Sequence, residues 1–305
     1  MNKQYHRFSR EQWAKLPANQ EIPLTKQDLQ KIKSLNDYLS IVDVREVYAP
    51  LIQLLSIYLR HHQGIQDEQQ LFLHKNQKKI PFLIGITGSV SVGKSTTARL
   101  LKKLLSWYYP KKKIDLMTTD GFLYPTKELK KRNLLQKKGF PETYQTNMLI
   151  NTLIKIKSGI EKIEVPIYSH EIYDVIENQY QTIEHPDILI VEGINVLQSS
   201  NNQQIYLSDF FDFSIYIDAQ TQVIKKWYLE RFSSLLEIAK NQPNNYYFNL
   251  ANGNLEDAFK IADDAWQTIN QPNLENFILP TKNHAHLILH KSENHIIDEL
   301  LLRKY

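Results

Sequence analysis

The most chemically informative segment of the chain spans residues 88–96 and is rich in glycine and hydroxyl side chains. It consists of Gly88, Ser89, Val90, Ser91, Val92, Gly93, Lys94, Ser95 and Thr96. The two glycines permit a tight turn in which consecutive backbone N–H groups face an anion. Lys94 adds a mobile positive charge, and Ser95 adds a hydroxyl suited to a Mg²⁺ shell. This spacing predicts a loop that binds the phosphates of ATP together with Mg²⁺.

The segments on either side of this loop have the character that it requires. An apolar run at residues 82–87, rich in β-forming side chains, precedes it and predicts a strand. Pro110 marks the end of a helical pattern that follows, whose apolar face carries Ala98, Leu101, Leu105 and Tyr108. A strand, a glycine-rich loop and a helix in this order form the setting of a phosphate-binding loop.

Two acidic residues close other predicted strands. Asp120 follows the strand at residues 114–119, and Glu192 follows the apolar residues 187–191. Ligands of parallel sheets bind beyond the carboxyl ends of the strands, so we expect both carboxylates near the phosphate loop. Asp120 is a candidate base that accepts a proton from an attacking hydroxyl, or else a turn residue that caps the next segment. Glu192 is a candidate Mg²⁺ ligand, directly or through water.

A histidine and an arginine farther along the chain are candidates for the same edge. His170 follows Tyr168 in a polar loop after the predicted strand at residues 163–167, where it has either a binding or a structural role. Arg231 lies on a predicted helix with the apolar residues Val223, Trp227, Leu229 and Phe232. Its guanidinium is a candidate to stabilise charge on a transferring phosphoryl group, the alternative being a surface ion pair with Glu230.

Two polar segments are open to a binding role. The run KELKKRNLLQKK at residues 127–138 is dense in positive charge. Such runs are usually solvated helix faces, and the alternative is a mobile basic segment near the phosphates of ATP or of an anionic effector. Residues 241–254 are rich in asparagine and aromatic side chains, which predicts a loop that can wall a pocket.

The bulk composition is that of a folded protein with a mild positive charge. Of its 305 residues, 42% are hydrophobic and 23% are charged, and the net charge is +4. This charge suits an anionic ligand, but no nucleic-acid-binding motif accompanies it, so we expect no nucleic-acid partner. The chain has no cysteine, which excludes disulfides and thiolate metal sites. Neither a signal-peptide core nor an apolar run of spanning length occurs, so we expect a cytoplasmic protein without a membrane partner.

The remaining pattern predicts one α/β domain over residues 1–305, with a mostly parallel sheet covered by helices on both faces. Residues 1–80 are expected to form a helical N-terminal extension packed on this domain. There a capping box at Thr25 opens one helix, Pro50 predicts a kink or break in a second, and residues 64–79 form a polar connection. Later elements comprise a low-complexity loop at 198–204, strands at 213–217 and 287–290, and helices at 255–267 and 296–302.

Several segments together resemble the bacterial type I pantothenate kinase family, among the P-loop kinases related to phosphoribulokinase and uridine kinase. They follow the family's order and read GSVSVGKSTTAR, TTDGF, KKGFPETY, YSHEIYDVI, PDILIVEGINVLQ, DFSIYIDA, WYLERF, ILPT and KSENH. The resemblance implies ATP-dependent phosphorylation of the primary hydroxyl of pantothenate, the first step of coenzyme A biosynthesis, by a cytoplasmic homodimer. It also implies feedback inhibition by coenzyme A in competition with ATP.

The resemblance further implies roles for individual positions. It implies that Lys94 and Ser95 bind ATP and Mg²⁺, that Asp120 is the base and that Arg231 contacts the γ-phosphate. It also implies that Tyr168, His170 and Tyr228 surround pantothenate or the pantetheine arm of the inhibitor. The residues implied at the inhibitor are Arg99 and His170. Those implied near adenine are Asn36 and His295.

Two positions depart from the family pattern. Phe277 stands where the family's asparagine helps to hold the substrate, and Leu235 replaces a common aromatic residue beside the expected pantetheine pocket. Loss of one hydrogen bond costs about 0.5 to 1.5 kcal/mol. We therefore expect weaker pantothenate binding, or altered tolerance of substrate tails and inhibitor, while phosphoryl transfer stays intact.

Other functions remain open from the sequence alone. The nearest is a kinase of the same fold that acts on uridine or phosphoribulose. A nucleotide-controlled switch is a second class, although the one guanine-type motif, at residues 25–28, lies upstream of the phosphate loop instead of downstream. A nucleic-acid-binding protein, suggested by residues 127–138, is the third class.

Overall fold

The central feature of the molecule is a seven-stranded, mostly parallel sheet. A computed structural model describes residues 4–19, 21–22, 24–75, 78–198 and 206–304, so all but the first residue of the predicted loop at 198–204 lie outside the described residues. The strands are β1 (Tyr5–Ser9), β2 (Phe82–Gly88), β3 (Ile114–Thr118), β4 (Lys162–Ser169), β5 (Asp174–Glu184), β6 (Ile188–Glu192), β7 (Phe213–Asp218), β8 (Leu287–Lys291) and β9 (Ile297–Arg303). Their order in the main sheet is β1-β9-β8-β7-β2-β6-β3.

The direction of the strands confirms the predicted α/β class. From β8 to β3 all neighbours run parallel, while β9 and β1 add antiparallel strands at one edge. A separate antiparallel hairpin is formed by β4 and β5. Strands β2, β6 and β7 are buried along their whole length, as is typical of a parallel sheet covered on both faces. Their carboxyl ends meet at one edge, which is where α/β proteins bind ligands.

Helices flank this sheet. They are α1 (Arg10–Ala14), α2 (Lys26–Ile32), α3 (Ile41–Asp43), α4 (Ala49–Leu73), α5 (Lys94–Tyr108), α6 (Thr126–Lys131), α7 (Thr146–Lys157), α8 (Thr221–Ala239), α9 (Phe248–Ala251), α10 (Leu255–Ala265) and α11 (Gln271–Asn273). The predicted capping box at Thr25 is present, and α5 buries its predicted apolar face before ending ahead of Pro110. Three segments are π-helical, at Val44–Tyr48, Trp266–Asn270 and Leu274–Ile278. Within the described ranges, no helix has the length and apolar character to cross a membrane.

The predicted closing helix at residues 296–302 is wrong, because these residues belong to β9. The spacing of Ile297, Leu300 and Leu301 fits one face of a helix, but β9 pairs with β8 on one side and β1 on the other. Strand formation depends strongly on such partners, which local spacing does not reveal. Sequence reasoning also missed β1 and β5. Since β1 belongs to the main sheet, the N-terminal extension is not wholly helical.

The N-terminal helices differ from expectation in two further ways. The polar connection predicted at residues 64–79 is helical as far as Leu73, and in this stretch α4 buries only Gln66. A helix so exposed lacks the apolar stripe that sequence patterns detect. Pro50 does not end the helical run, which continues from α3 through the π-helical segment into α4. The backbone irregularity falls just before it, in the π-helical segment that ends at Tyr48.

Candidate active site

The predicted phosphate loop connects β2 to the start of α5. Backbone φ is positive at Gly88 (145°), Ser91 (60°) and Gly93 (95°). A Cβ on Gly88 would lie 2.5 Å from the carbonyl oxygen of Ile217, so only glycine fits there. Left-handed residues of this kind turn neighbouring N–H groups toward a shared concavity that binds anions. The loop therefore has the backbone form that its sequence predicts.

The Lys94 ammonium lies inside the loop. Its Nζ donates a 2.7 Å hydrogen bond to the carbonyl of Ser89. Burial lowers the pKa of Lys94, whereas the carboxylates of Glu192 and Asp120 oppose this by favouring the charged form. Lys94 is thus close to both acidic residues. Its hydrogen bond to Ser89 is one that a phosphate oxygen can replace.

Ser95 and Glu192 form an oxygen-rich corner under the loop. The Ser95 hydroxyl donates to Oε1 of Glu192 at 2.9 Å. Burial raises the pKa of Glu192, which is 8% exposed, while Lys94 lowers it. One hydroxyl and one carboxylate, completed by phosphate oxygens and water, are typical Mg²⁺ ligands in nucleotide sites, so these donors fit Mg²⁺. In the described part of the chain, this corner included, no group of three or more His, Cys, Asp or Glu side chains is placed to hold a metal ion.

Asp120 stands at the carboxyl end of β3, in the short 3₁₀ turn Thr119–Phe122. Packing fixes this turn, because a Cβ on Gly121 would lie only 2.0 Å from the carbonyl oxygen of Pro166. The Asp120 carboxylate is half-buried and raises the pKa of Lys94. The structure thus brings Asp120 to the same cleft as the phosphate loop. Its role as the base stays a prediction.

The hairpin of β4 and β5 carries a group of rings beside this cleft. Tyr168 meets His170 edge-on, with ring centroids 5.3 Å apart, and Tyr173 stacks on Tyr246 at 4.8 Å. The predicted aromatic loop at residues 241–254 therefore packs against the hairpin. Together they form one wall of the cleft.

His170 is accessible to solvent but lies among charged groups. Surrounding protein atoms partly desolvate its ring and lower its pKa, the Asp120 carboxylate opposes this effect, and the positive charges of Arg231 and Lys94 add to it. Because this pKa falls below the usual value near 6.5, the ring is neutral at pH 7. The structure thus brings His170 together with Asp120, Arg231 and Lys94, which are also predicted site residues.

Tyr228 on α8 faces a residue that sequence reasoning missed. Its ring packs on Trp266, with centroids 5.7 Å apart. Burial raises the pKa of Tyr228, and the neighbouring Asn270 side chain opposes the shift. Trp266 and Asn270 lie at the two ends of one π-helical segment. Such segments often occur at functional sites, but no periodicity in the sequence predicts them.

Arg231 lies one helical turn beyond Tyr228 on α8. Its positive charge lowers the pKa of Lys94 and of His170, so the guanidinium faces the cleft. Among the residues that the structure describes, Arg231 has no carboxylate within ion-pair distance, which disfavours the surface pair with Glu230. The charge is therefore available to an anion in the cleft.

Lys138 is the last residue of the basic run, and sequence reasoning did not single it out from the other lysines of that run. Its Nζ donates to the carbonyl of Tyr173 and lies 4.3 Å from the centroid of that ring and 5.4 Å from that of Tyr168. Burial lowers the pKa of Lys138, and the carboxylates of Asp174 and Asp120 oppose the shift. The lysines earlier in the run are exposed, so most of it is solvated surface and only its last residue enters the cleft.

The residues expected near adenine meet at Trp227 of α8. Asn36 Nδ2 donates to the Trp227 carbonyl at 2.8 Å, and His295 stacks on the indole with ring centroids 4.1 Å apart. Arg99 is fixed nearby through a 2.7 Å hydrogen bond from its Nε to the carbonyl of Ile32. The structure brings Asn36 and His295 together, and their contact with adenine stays a prediction.

The two departures from the family pattern have different surroundings. The ring of Phe277 lies edge-on to Phe140, with centroids 5.7 Å apart, and Leu235 is half-buried on α8. The expectation of weaker substrate binding rested on a missing amide at position 277. Asn270 supplies an amide beside Tyr228 that this expectation did not include.

Comparisons with known proteins agree with this geometry. The model of the phosphoribulokinase/uridine kinase family matches residues 83–234. A curated pantothenate kinase from Ligilactobacillus salivarius is 53% identical over 301 residues, which cover 99% of this chain and 98% of that protein. The pantothenate kinase of Enterococcus faecalis is 52% identical over 301 residues, again covering 99% of this chain and 98% of that protein.

Solved structures add a likeness of fold. D-glycerate 3-kinase from Cryptococcus neoformans var. grubii superposes with a TM-score of 0.52 at 15% identity, over 81% of this chain and 97% of that one. Similarity at this level of identity concerns the fold alone. With about half of its residues shared with curated pantothenate kinases along nearly its whole length, the chain belongs to the pantothenate kinase family.

Proposed function

We propose that this chain is an ATP-dependent kinase that phosphorylates the primary hydroxyl of pantothenate, the first step of coenzyme A biosynthesis. The observation that best supports the proposal is that Lys94 of the phosphate loop lies close to the Asp120 carboxylate. Both lie at the mouth of a tyrosine-lined cleft. Curated relatives that carry the name pantothenate kinase, at 53% and 52% identity, support the choice of acceptor.

In the mechanism that we infer, the loop amides and Lys94 hold the β- and γ-phosphates of ATP. The pantothenate hydroxyl gives its proton to Asp120 as its oxygen bonds to the γ-phosphorus, and the bond from that phosphorus to the bridging oxygen of ADP breaks. Arg231 offsets negative charge on the transferring group. Mg²⁺, held by Ser95 and Glu192, would neutralise charge between the phosphates when bound.

The chemistry of the pocket suits pantothenate, which has a carboxylate, an amide and an apolar dimethyl group. Lys138 offers a positive charge and Asn270 offers an amide. The rings of Tyr168, Tyr173 and Tyr228 offer apolar faces with polar edges. Neutral His170 can either donate or accept a hydrogen bond at the mouth of the pocket.

We extend the proposal to feedback inhibition by coenzyme A. The phosphate loop and the tyrosine-lined pocket open into one cleft, with Arg99 close enough to affect the pKa of His170. A molecule that joins a pantetheine arm to phosphates would therefore occupy both parts and exclude ATP. This gives inhibition that higher ATP concentrations relieve.

We also propose a cytoplasmic homodimer. Support for a dimer comes from apolar side chains along α4 that are 45–83% exposed, namely Ile57, Ile65, Leu71 and Phe72. Exposed apolar residues in a series often mark a protein interface. Sedimentation of the protein at micromolar concentration tests the dimer directly, with Phe72→Ser as the variant expected to weaken it.

The decisive experiment follows phosphate transfer from labelled ATP to pantothenate, with uridine and ribulose 5-phosphate as control acceptors. We expect labelled phosphopantothenate and no product from either control. Added coenzyme A should reduce the rate, less so as ATP is raised. Turnover of a control acceptor in preference to pantothenate would overturn the proposed function.

A further inference from the structure

A buried ion pair lies behind the phosphate loop and is not part of its sequence motif. Asp37 belongs to the N-terminal extension, and Lys291 is the last residue of β8. Their side chains are only 4% and 5% exposed, and Lys291 Nζ lies 2.8 Å from Oδ1 of Asp37. Burial alone would raise the pKa of Asp37, but the Lys291 ammonium and the nearby His295 ring lower it to about 2. The Asp37 carboxylate is therefore ionised at neutral pH.

Burying two charges is costly, and such pairs often add little to stability compared with apolar residues of similar size. A role other than stabilising the fold is indicated by the further contacts of Lys291 and Asp37. Lys291 Nζ donates a second hydrogen bond, of 3.1 Å, to the carbonyl of Val92 inside the phosphate loop. A Cβ on the next residue, Gly93, would lie 2.4 Å from Asp37 Oδ2 and 2.7 Å from Lys291 Nζ. The pair thus packs directly against the back of the loop.

This contact fixes the orientation of one peptide group. In a trans peptide the C=O of one residue and the N–H of the next point in opposite directions. Because Lys291 holds the Val92 carbonyl on the buried side, the N–H of Gly93 is turned to the open side of the loop. Charged donors make hydrogen bonds that are roughly twice as strong as neutral ones, which suits Lys291 to this task.

We propose that Asp37 and Lys291 are positioning residues that hold the Val92–Gly93 peptide so that its N–H faces the nucleotide phosphates. Neither side chain touches the substrate in this role, since both act through the peptide. The same pair reaches the side of the cleft expected to bind adenine, because His295 Nδ1 is 3.4 Å from Asp37 Oδ1. The inference rests on the proposed function only in taking phosphate as the ligand of the loop.

The test measures binding of Mg²⁺–ATP and of inorganic triphosphate by calorimetry, without any acceptor. In Lys291→Met we expect affinity for both to fall by about tenfold or more, the loss of one charge-assisted hydrogen bond. The matched control is Lys157→Met, which breaks the 2.6 Å ion pair of Lys157 with Asp212 near the opposite end of β2. This variant should bind triphosphate within about twofold of the native protein.

A double variant, Asp37→Asn with Lys291→Met, separates positioning from stability. It leaves no unpaired buried charge, so its unfolding free energy should exceed that of Lys291→Met alone. Its triphosphate affinity should stay as low as in the single variant, because nothing holds the Val92 carbonyl. Native affinity in the double variant, or an equal loss in Lys157→Met, would overturn the proposal. Since binding needs no acceptor, failure of pantothenate turnover would contradict the proposed function and leave this test intact.

Discussion

The two ends of the active-site cleft are constructed in different ways. The proposed phosphate end consists largely of consecutive residues, 88–96, whose backbone has the form of an anion-binding loop. The acceptor end is assembled from four separate segments, which contribute Lys138, the β4–β5 hairpin, α8 and the π-helical segment with Asn270. A backbone site tolerates little change at any position, whereas a pocket of many side chains distributes its binding energy. Phosphoryl transfer and acceptor choice can therefore be altered separately.

The largest expected effect is at Asp120, which lies between the two ends. Asp120→Asn keeps the size of the side chain and removes the proton acceptor. We expect kcat to fall by about 10²- to 10⁴-fold, because general-base catalysis contributes rate enhancements of that order. ATP affinity, measured by calorimetry, should change by less than about twofold, since the loop is untouched. Near-native turnover in a coupled ADP-release assay would remove Asp120 from the role of base.

The unfolding free energy should depend on pH through a residue at the phosphate end of the cleft. The pKa of Asp37 is about 2 in the folded state, below its usual value of 3.8, so the ionised form stabilises the fold. This contribution is fully present above about pH 4 and is lost as the pH falls toward 2, with a size of about 2 kcal/mol. Urea unfolding of the native protein at pH 6, 4 and 3 measures it. The Asp37→Asn, Lys291→Met double variant should show a weaker acid dependence, and an unchanged one would contradict the assignment.

A smaller effect is expected at the acceptor end. Asn270→Ala should raise the KM for pantothenate by about two- to tenfold, because one hydrogen bond is worth about 0.5 to 1.5 kcal/mol. The KM for ATP should stay unchanged, which initial-rate kinetics in both substrates resolves. Phe277→Asn is the matched variant that restores the family's residue. If it lowers the KM for pantothenate while Asn270→Ala has no effect, the amide that matters belongs at position 277 instead.

The smallest effect concerns the scaffold on which both ends depend. Gly64 is exposed within α4, and an added Cβ would have no atom within 4 Å. Gly64→Ala should therefore raise the unfolding free energy by about 0.5 to 1 kcal/mol, because glycine weakens a helix interior relative to alanine. Thermal unfolding measures the gain. A change in either KM would show that α4 is coupled to the cleft, contrary to the independence argued for its two ends.

The difference between a site of consecutive residues and a site of scattered side chains also explains how much of the site could be predicted from the sequence. The positions of Lys94, Ser95 and their glycines are predictable because these residues are neighbours in the chain. Asp120 and Glu192 are predictable because each closes an apolar strand of a parallel sheet. Asn270 was missed, and Lys138 was not distinguished within its basic run. Their positions depend on a π-helical segment and on a turn at Gly139, where φ is 106°. Neither feature leaves a repeating pattern.

Prediction of the fold from the sequence is limited in the same way, because it detects local patterns but not distant partners. The buried parallel strands were predicted from their apolar runs, and their observed bounds differ by only a residue or so from the predicted ones. Strand β9 was mistaken for a helix because Ile297, Leu300 and Leu301 fit helical spacing, and only its two neighbours make it a strand. The ion pair of Asp37 with Lys291 was likewise beyond prediction, since its partners are 254 positions apart.

The pairing of β1 with β9 has a consequence for how the protein is made. Tyr5 lies opposite Arg303 in the main sheet, so β1 cannot pair until β9, which follows far along the chain, has been synthesised. Until then a nascent chain exposes the unpaired edge of β8, and such edges invite association with other chains. Late closure of this edge leaves the growing polypeptide open to aggregation until β9 has formed, and chaperone protection would matter most during that interval.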